Sequence, residues 1–294
     1  MRQQRGVAIV TALLVVVLSA VLVSGVVWRV YKNGRSVLHE SSRVQARQVM
    51  RSAIEWASVI LREDARVSAT DTLAEPWAVP LADTRLDESL RPQVSGNDRS
   101  TSARLSGMIE DAQGRFNLFN LTGDDVAVAK ELRSFRRLCA TVGLDSARCE
   151  TVTRTARRRK DAVIRQWTDL RSDSGIDETT VETLKPYVVW IPAQTRVNAN
   201  TASAEVLYAV LAPIDYSGAQ QMVISRDRAA FKDEGDIRSR IPGLGSSAPD
   251  TSQVDVKSQY FLVKGAVQVQ ESRLQAQALL QRQENRVYTM WRID

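Results

Sequence analysis

An uncharged apolar stretch from Val7 to Trp28 constrains this chain more than any other feature. As a helix, it is long enough to cross the roughly 30 Å hydrocarbon core of a bilayer. Arg2 and Arg5 precede it, and the next charged side chain is Arg29. Because basic residues tend to stay on the cytoplasmic side, we predict a membrane helix with a cytoplasmic N-terminus. Everything after Arg29 would then lie outside the inner membrane.

This segment has three possible interpretations. A secretory signal peptide has a short apolar run and a small-residue cleavage site, and Leu18-Ser19-Ala20 could serve as one, but the apolar run continues past it. An uncleaved anchor is the second interpretation. The third is a cut between Gly6 and Val7, because Gln4-Arg5-Gly6 before the apolar run resembles the leader that prepilin peptidase removes from pilins and pseudopilins. We favour this third interpretation, which leaves the membrane helix on the mature protein.

Composition argues for a globular protein without an evident catalytic centre. The chain has 294 residues, of which 44% are hydrophobic, so it can bury a sizeable core. A net charge of +6 is compatible with nucleic-acid binding, but the charge is diffuse, and its densest run, 154–160, is typical of a solvated helix face. The single histidine, His39, has no evident partner, and the sequence contains neither a phosphate loop nor an HExxH pattern. We therefore expect no catalysis.

The two cysteines, Cys139 and Cys149, are separated by a short polar loop. In an oxidising compartment, such a pair is a natural disulfide. Zinc is not indicated, because no histidines or second cysteine pair accompany them. Two unconnected thiols are the alternative.

The rest of the pattern predicts an α+β fold, with a pilin-like long N-terminal helix packed on an antiparallel sheet. No proline interrupts residues 7–66, so one helix is expected there, with Trp56 and Trp77 contacting the sheet. Residues 103–121 predict a hairpin with its turn at 111–114, and the preceding stretch 83–102 predicts a loop. Three further strands are predicted, at 260–269, 273–280 and 286–293.

A large all-α domain is predicted between the hairpin and these last strands. It would contain helices at 126–142 and 147–170, Trp167 as a core anchor, and Ser203 as a helix N-cap. The predicted domains are a leader 1–6, a transmembrane helix 7–28, the periplasmic part of that helix 29–66, an α/β domain 67–122 with 255–294, and the inserted helical domain 123–254.

Part of the inserted domain resembles the helix-hairpin-helix family, whose connecting hairpin offers backbone N–H groups to DNA phosphates. Here that connection is 212–218, and it contains Pro213 and Asp215. A proline lacks the N–H donor and an aspartate repels a phosphate. The basic charge and this pattern suggest an alternative function, that of a membrane-anchored DNA-binding protein of a competence-type uptake system. Because Pro213 and Asp215 oppose phosphate binding, we predict no nucleic-acid partner.

Three motifs together resemble the K-type minor pseudopilin (GspK) family of the type II secretion system. They are Gln4-Arg5-Gly6, Glu110-Asp-Ala-Gln-Gly-Arg-Phe-Asn-Leu118 and the stretch from Pro192 through Asn198-Ala-Asn-Thr-Ala202. The resemblance covers almost the whole chain. It implies a non-enzymatic subunit at the tip of the periplasmic pseudopilus, which initiates assembly and limits fibre growth, with a mature N-terminus at Val7 that is N-methylated. The implied partners are the I-type and J-type minor pseudopilins, the major pseudopilin, prepilin peptidase and the inner membrane, with the secreted substrate or the outer-membrane channel as further candidates.

Two departures carry further predictions, the first from the general pilin pattern and the second from the K-type family. Most pilins have a glutamate at the fifth mature position, which pairs with a neighbour's N-terminal amine, whereas the fifth residue here is the neutral Thr11. A carboxylate in hydrocarbon is costly unless it is paired, and a subunit at the very tip has no neighbour above it, so Thr11 suits that place.

The second departure concerns calcium, which members of the family bind through acidic clusters in the helical insertion. Here the corresponding carboxylates are Asp169, Asp173, Asp177 and Glu178, in a connection that is shorter than usual. They supply part of the six to eight oxygens that calcium takes. The alternative is a solvated acidic loop with helix-capping aspartates.

Overall fold

The computed structural model describes residues 4–86, 103–124, 126, 128–162, 164–171, 175–242, 250–284 and 286–293. A long N-terminal helix lies against a five-stranded antiparallel sheet, and a group of shorter helices is inserted between two neighbouring strands of that sheet. The predicted fold class, α+β with a pilin-like helix and an inserted helical domain, is confirmed.

The N-terminal helix, α1, spans Gln4–Val67. Within the described chain, Ile9–Arg29 is the one segment long and apolar enough to cross a membrane, and none of it is buried against the rest of the protein. The outer half of α1 packs on the sheet through buried side chains at helical spacing, namely Ala46, Met50, Ile54, Ala57 and Leu61.

The sheet has the strand order β1-β2-β7-β8-β9. Its strands are β1 (Leu81–Leu86), β2 (Ala103–Asp111), β7 (Tyr260–Val269), β8 (Ser272–Gln283) and β9 (Arg286–Ile293). The three C-terminal strands therefore lie almost where they were predicted from the sequence. Trp77 is buried and packs edge-on against Phe261, with ring centroids 5.3 Å apart. Trp56, in contrast, is 53% exposed on the side of α1 away from the sheet, so its predicted contact is wrong.

The predicted hairpin over 103–121 is also wrong. After β2, residues 112–114 form a 3-10 turn, because the Asp111 carboxylate accepts the N–H of Gln113 and ends the strand. The next residues form a short strand, β3 (Phe116–Asn117), which pairs in parallel with β4 (Val188–Val189) instead of returning along β2. Phe116 and the apolar side chains after it join the larger core of the inserted helices.

The free edge of β2 is taken by β1 instead, through an antiparallel pairing. This strand covers the first residues of the predicted loop 83–102, which is therefore partly a strand. Residues 87–102 of that prediction lie outside the described residues.

We call the inserted part, from residue 112 to 258, the helical lobe. Its helices are α2 (Ala129–Thr141), α3 (Ser146–Arg158), α4 (Trp167–Arg171), α5 (Glu178–Leu184), α6 (Ala204–Val210), α7 (Tyr216–Arg228) and α8 (Glu234–Ser239). Besides β3 and β4 it contains the short strands β5 (Val197–Asn198) and β6 (Val254–Asp255).

One predicted helix of this lobe, 147–170, is interrupted. The Asp169 carboxylate accepts the backbone N–H groups of Arg165 and Gln166 and so fixes a separate start for α4. Trp167, at that start, is only half buried against the lobe core. The predicted cap at Ser203 is confirmed, since its side chain accepts the N–H of Val206.

The helical lobe is attached at the end of the sheet farthest from the apolar span. At the near end, the Ser42 hydroxyl donates to the Gln270 side chain in the β7–β8 turn, over 2.9 Å. At the far end, Arg282 of β8 binds the Leu61 carbonyl and Asp64, close to the end of α1. The lobe leaves β2 after Asp111, whose register partner in β7 is Phe261. Both connections therefore lie at the far end.

Candidate functional site: the membrane segment and the junction between lobes

The predicted processing site lies near the start of α1. Gly6 and Val7 belong to the first turns of the helix, and Thr11 lies within the exposed apolar span. The cut after Gly6, the methylation of Val7 and the role of Thr11 stay predictions.

Cys139 of α2 and Cys149 of α3 form a disulfide in the structure, with their Cα atoms 6.1 Å apart. Both are buried in the core of the helical lobe. The turn between the two helices contains Gly143 at φ +76°, a conformation that glycine adopts without strain. The bridge therefore fastens α2 to α3 across this turn.

The described carboxylates of the acidic stretch after Trp167 have partners within the protein, and the calcium site stays a prediction. Asp169 caps α4, Asp177 caps α5 by accepting the Thr180 N–H, and Glu178 pairs with Arg171. The Arg148 guanidinium lies 3.1 Å from the Asp177 carboxylate, so Asp177, like Glu178, forms an ion pair with an arginine. Asp173, the fourth predicted ligand, lies outside the described residues.

In the helix-hairpin-helix-like connection 212–218, the Asp215 carboxylate accepts the backbone N–H that a DNA phosphate would need as a free donor. Asp215 accepts the Gly218 N–H over 2.7 Å and the Ser217 hydroxyl over 3.1 Å at the start of α7. A phosphate arriving there would meet this carboxylate.

Buried polar side chains form a cluster where the helical lobe joins the sheet. We call it the junction cluster, and it comprises Asp64, Asp71, Asp111, Asn198, Thr201, Ser258 and Arg282. Its first centre is the Asp111 carboxylate, at the end of β2. One oxygen of Asp111 accepts from Thr201 over 2.6 Å, from Ser258 over 2.7 Å and from the Asn198 amide over 2.9 Å.

Two of the motifs that carried the family resemblance therefore touch each other. Gly114 belongs to the motif 110–118 and Thr201 to the motif that ends at Ala202. The two residues lie so close together that a Cβ added to Gly114 would stand 2.8 Å from the Thr201 hydroxyl oxygen. Asn117 extends the contact, since its amide donates to the Ala193 carbonyl and its oxygen accepts the Ile191 N–H. A glycine at 114 and polar side chains at the contacts let the two loops meet backbone to backbone.

The second centre of the junction cluster is the Arg282 guanidinium. It binds Asp71 over 2.5 Å, Asp64 over 3.0 Å and the Ser258 carbonyl over 3.0 Å, and it lies over the Phe261 ring. These partners belong to α1, the segment after it and the return of the helical lobe. One side chain thus ties three parts of the chain together.

Burial dominates the ionisation of these carboxylates. It raises the pKa of Asp71 to about 6, even though the charge of Arg282 and the Ser258 N–H favour the ionised form. Burial also raises the pKa values of Asp64 and Asp111 above their usual range. Protons therefore bind more tightly to this cluster in the folded chain than in an unfolded one.

Asp64, Asp71 and Glu75 lie close enough together to suggest a cation site. Arg282 already supplies positive charge to the two aspartates. Glu75 accepts the Trp77 indole N–H over 2.7 Å and the Ser68 hydroxyl over 2.7 Å. In this structure the positive partner of the two aspartates is thus the Arg282 guanidinium, and the trio is hydrogen-bonded within the protein.

Sequence reasoning missed the junction cluster, although one signal was present. Along β8, Ala276, Ala278 and Leu280 face α1, and Arg282 continues the same alternation. A charged side chain on the apolar face of a strand needs buried partners. That rule predicts carboxylates nearby but does not say which ones.

Comparison with known proteins gives one consistent result. The family described as type II secretion system (T2SS), protein K, matches residues 197–257. Type II secretion system protein K of Pseudomonas aeruginosa is 27% identical, covering 96% of this chain and 90% of its own length. The protein of the same name from Pectobacterium carotovorum is 26% identical, over 95% and 92% of the two chains.

A solved structure shares the fold. The crystal structure of the GspK-GspI-GspJ complex from the type 2 secretion system of enterotoxigenic Escherichia coli contains a chain that matches with a TM-score of 0.60 at 17% identity. The match covers 86% of this chain and 97% of that one.

The fold is thus that of a pilin-like subunit with a helical lobe inserted into its sheet. The resemblance predicted from the three motifs is confirmed by the matched family, the relatives and the solved structure. The chain is therefore similar to the type II secretion system proteins K in sequence, and to the related solved chain in fold.

Proposed function

We propose that this protein is the minor pseudopilin at the tip of the periplasmic pseudopilus of a type II secretion system. There it initiates assembly and limits fibre growth during protein export across the outer membrane. The observation that carries this proposal is the position of the helical lobe at the end of the sheet farthest from the apolar span.

The position of the helical lobe gives a steric reason why no further subunit could stack above this one. Pilin-like subunits stack along the direction of their long helices, so the next subunit would occupy the space beyond the far end of α1. The helical lobe already fills space at that end. A neutral Thr11 agrees with this placement, because a subunit with no neighbour above it has no amine to pair with.

The proposed location is the inner membrane. A single N-terminal apolar helix is consistent with a single-pass anchor. In this proposal the N-terminus is cytoplasmic, prepilin peptidase cuts between Gly6 and Val7, Val7 is methylated, and the remainder is periplasmic. The Cys139–Cys149 disulfide suits that oxidising compartment.

The proposed partners follow from the same placement. The structure of a related chain in a GspK-GspI-GspJ complex supports I-type and J-type minor pseudopilins as neighbours. The outer half of α1 leaves Val44, Trp56 and Val59 exposed on the side away from the sheet, which suits packing against a neighbour's helix. The other proposed partners are the major pseudopilin, on the membrane side of this subunit, and the secreted substrate or the outer-membrane channel, on the opposite side. The role is mechanical and needs no catalytic group.

DNA uptake is not favoured as an alternative. The Asp215 carboxylate occupies the helix start that would receive a phosphate, and the matched relatives are secretion proteins.

Removing the helical lobe tests the proposal. Residues 113–259 would be replaced by an Asn-Gly turn, because Asp111 and Phe261 are register partners and a two-residue hairpin can join the strands. Pseudopili would be measured by electron microscopy in cells that carry this variant or the full-length chain. We expect longer fibres with the variant. Unchanged lengths, in cells where the variant is folded and membrane-bound, would contradict the proposal, as would full-length protein labelled along the shaft.

A further inference from the structure

A cleft of about 640 Å³ lies between the helical lobe and the sheet, on the sheet face opposite α1. Its floor is formed by Leu262, Lys264 and Gln277 of the central strands, with Trp291 of the edge strand β9. Its wall is formed by α4, α5 and β4. The volume is within the range of clefts that hold ligands, about 300–1,000 Å³.

The charges that line this cleft are unbalanced. Five cationic side chains, Arg115, Arg165, Arg171, Lys185 and Lys264, stand against two carboxylates, Glu178 and Glu182. Glu178 pairs with Arg171, and Glu182 lies 3.7 Å from Lys185.

The remaining cations are less completely neutralised. Glu110, just outside the cleft, is shared between Lys264 and Arg115, at 2.7 and 2.6 Å. Burial opposes ionisation of Glu110, but these two partners outweigh it and lower its pKa. Arg165 is exposed and has no ion pair within the described part of the chain. The cleft therefore presents an excess of positive charge.

The lining also offers apolar surface. Trp167, Trp190 and Trp291 stand along it, beside Leu170 and Leu262. Aromatic side chains that combine apolar area with a polar edge are typical of protein-binding surfaces.

We propose that this cleft binds an acidic, partly apolar peptide segment of a protein partner. Carboxylates of such a segment would meet the excess cations, and its apolar side chains would lie on the tryptophans. Charge complementarity of this kind governs the choice of partner and the rate of encounter. Binding by the cleft does not depend on the position of the subunit in a fibre.

The test measures peptide binding to the full chain in detergent micelles. The probe is a fluorescein-labelled octapeptide of alternating glutamate and leucine, and the comparison peptide has lysine in place of glutamate. Binding is followed by fluorescence anisotropy at low and at physiological salt. The cleft variant is Arg165→Glu with Lys185→Glu, both exposed. Its matched control is Arg154→Glu with Arg158→Glu, which reverses two exposed charges on α3, outside the cleft lining.

We expect the glutamate peptide to bind at least tenfold more tightly than the lysine peptide. We also expect the cleft variant to lose at least tenfold in affinity while the control loses less than twofold. Equal loss in both variants would overturn the proposal, since binding would then follow net charge alone. Equal binding of the two peptides, or no binding of the glutamate peptide at low salt, would overturn it as well.

Discussion

One guanidinium nitrogen of Arg282 lies 2.5 Å from a carboxylate oxygen of Asp71, and this pair joins strand β8 to the segment that follows the long helix. The same side chain holds Asp64 on α1 and the Ser258 carbonyl, where the chain returns from the helical lobe. The pair is nearly inaccessible, since Arg282 is 9% exposed and Asp71 2%. The position of the lobe relative to the helix therefore depends on a buried ionic contact.

Replacing Arg282 by methionine should destabilise the protein strongly. The change keeps apolar bulk but leaves two buried carboxylates without their cation, a loss that costs about 3–5 kcal/mol. Urea unfolding of the full chain in detergent, followed by tryptophan fluorescence at pH 7.5, measures it. Arg273→Met on an exposed position of the same strand is the control, expected to change stability by less than about 0.5 kcal/mol. Equal effects of the two substitutions would contradict a special role for Arg282.

Stability should depend on pH through Asp71. Its pKa rises from 3.8 in the unfolded chain to about 6 in the folded one, mainly because the carboxyl is buried. The folded state thus holds the proton more tightly, and the free energy of unfolding falls as pH rises between about 4 and 6. The loss is about 3 kcal/mol at 1.36 kcal/mol per pH unit. Asp71→Asn removes this part of the slope, and an unchanged slope in that variant would contradict the assignment.

Gly114→Ala should weaken the contact between the two family motifs. The new methyl group would stand 2.8 Å from the Thr201 hydroxyl oxygen and 3.2 Å from its carbonyl oxygen. Overpacking of this kind costs about 1–3 kcal/mol. In a Thr201→Ala background the nearer of these atoms is absent, so the same substitution should cost less. A double-mutant cycle of urea unfolding measures the difference, and equal costs in both backgrounds would place the strain elsewhere.

Calcium should leave the melting temperature unchanged. The described carboxylates near α4 and α5 are already held by backbone N–H groups, Arg148 and Arg171. Thermal unfolding of the full chain in detergent would be recorded with calcium and then with a chelator. A rise of several degrees with calcium would show that Asp173 and its neighbours rearrange into a site.

The mature protein should begin at Val7. N-terminal sequencing of protein extracted from membranes, with mass spectrometry for methylation, checks the predicted cut after Gly6. A start at Met1 would indicate an uncleaved anchor, and a start near Val21 a secretory signal peptide. Either result would remove the pilin-type assembly step from the proposal.

The spacing of apolar residues was sufficient to predict the elements that face solvent or lipid on one side. The long helix has a helical repeat and β9 alternates plainly, and the structure has both, with β7 and β8, at almost the predicted bounds. Ser203 was also recognisable, because a helix cap is a local contact.

The errors lie where a distant partner decides the local structure. Phe116 and Leu118 have the composition of a returning strand, but the core of the helical lobe offers them more apolar contact than the edge of β2. Trp56 is large and apolar, yet the rotation of α1 puts it outside. The junction cluster unites residues as far apart in sequence as Asp64 and Arg282, and a local pattern cannot specify such pairs.

The continuity of α1 has a mechanical consequence. Its 64 residues form a single helix of about 96 Å at 1.5 Å per residue. The apolar span lies near one end, and the contact of Leu61 with Arg282 lies near the other. With no linker between them, a displacement of the membrane segment along the helix axis displaces the helical lobe by the same distance. Rotation of the anchor likewise sets the direction in which the cleft faces.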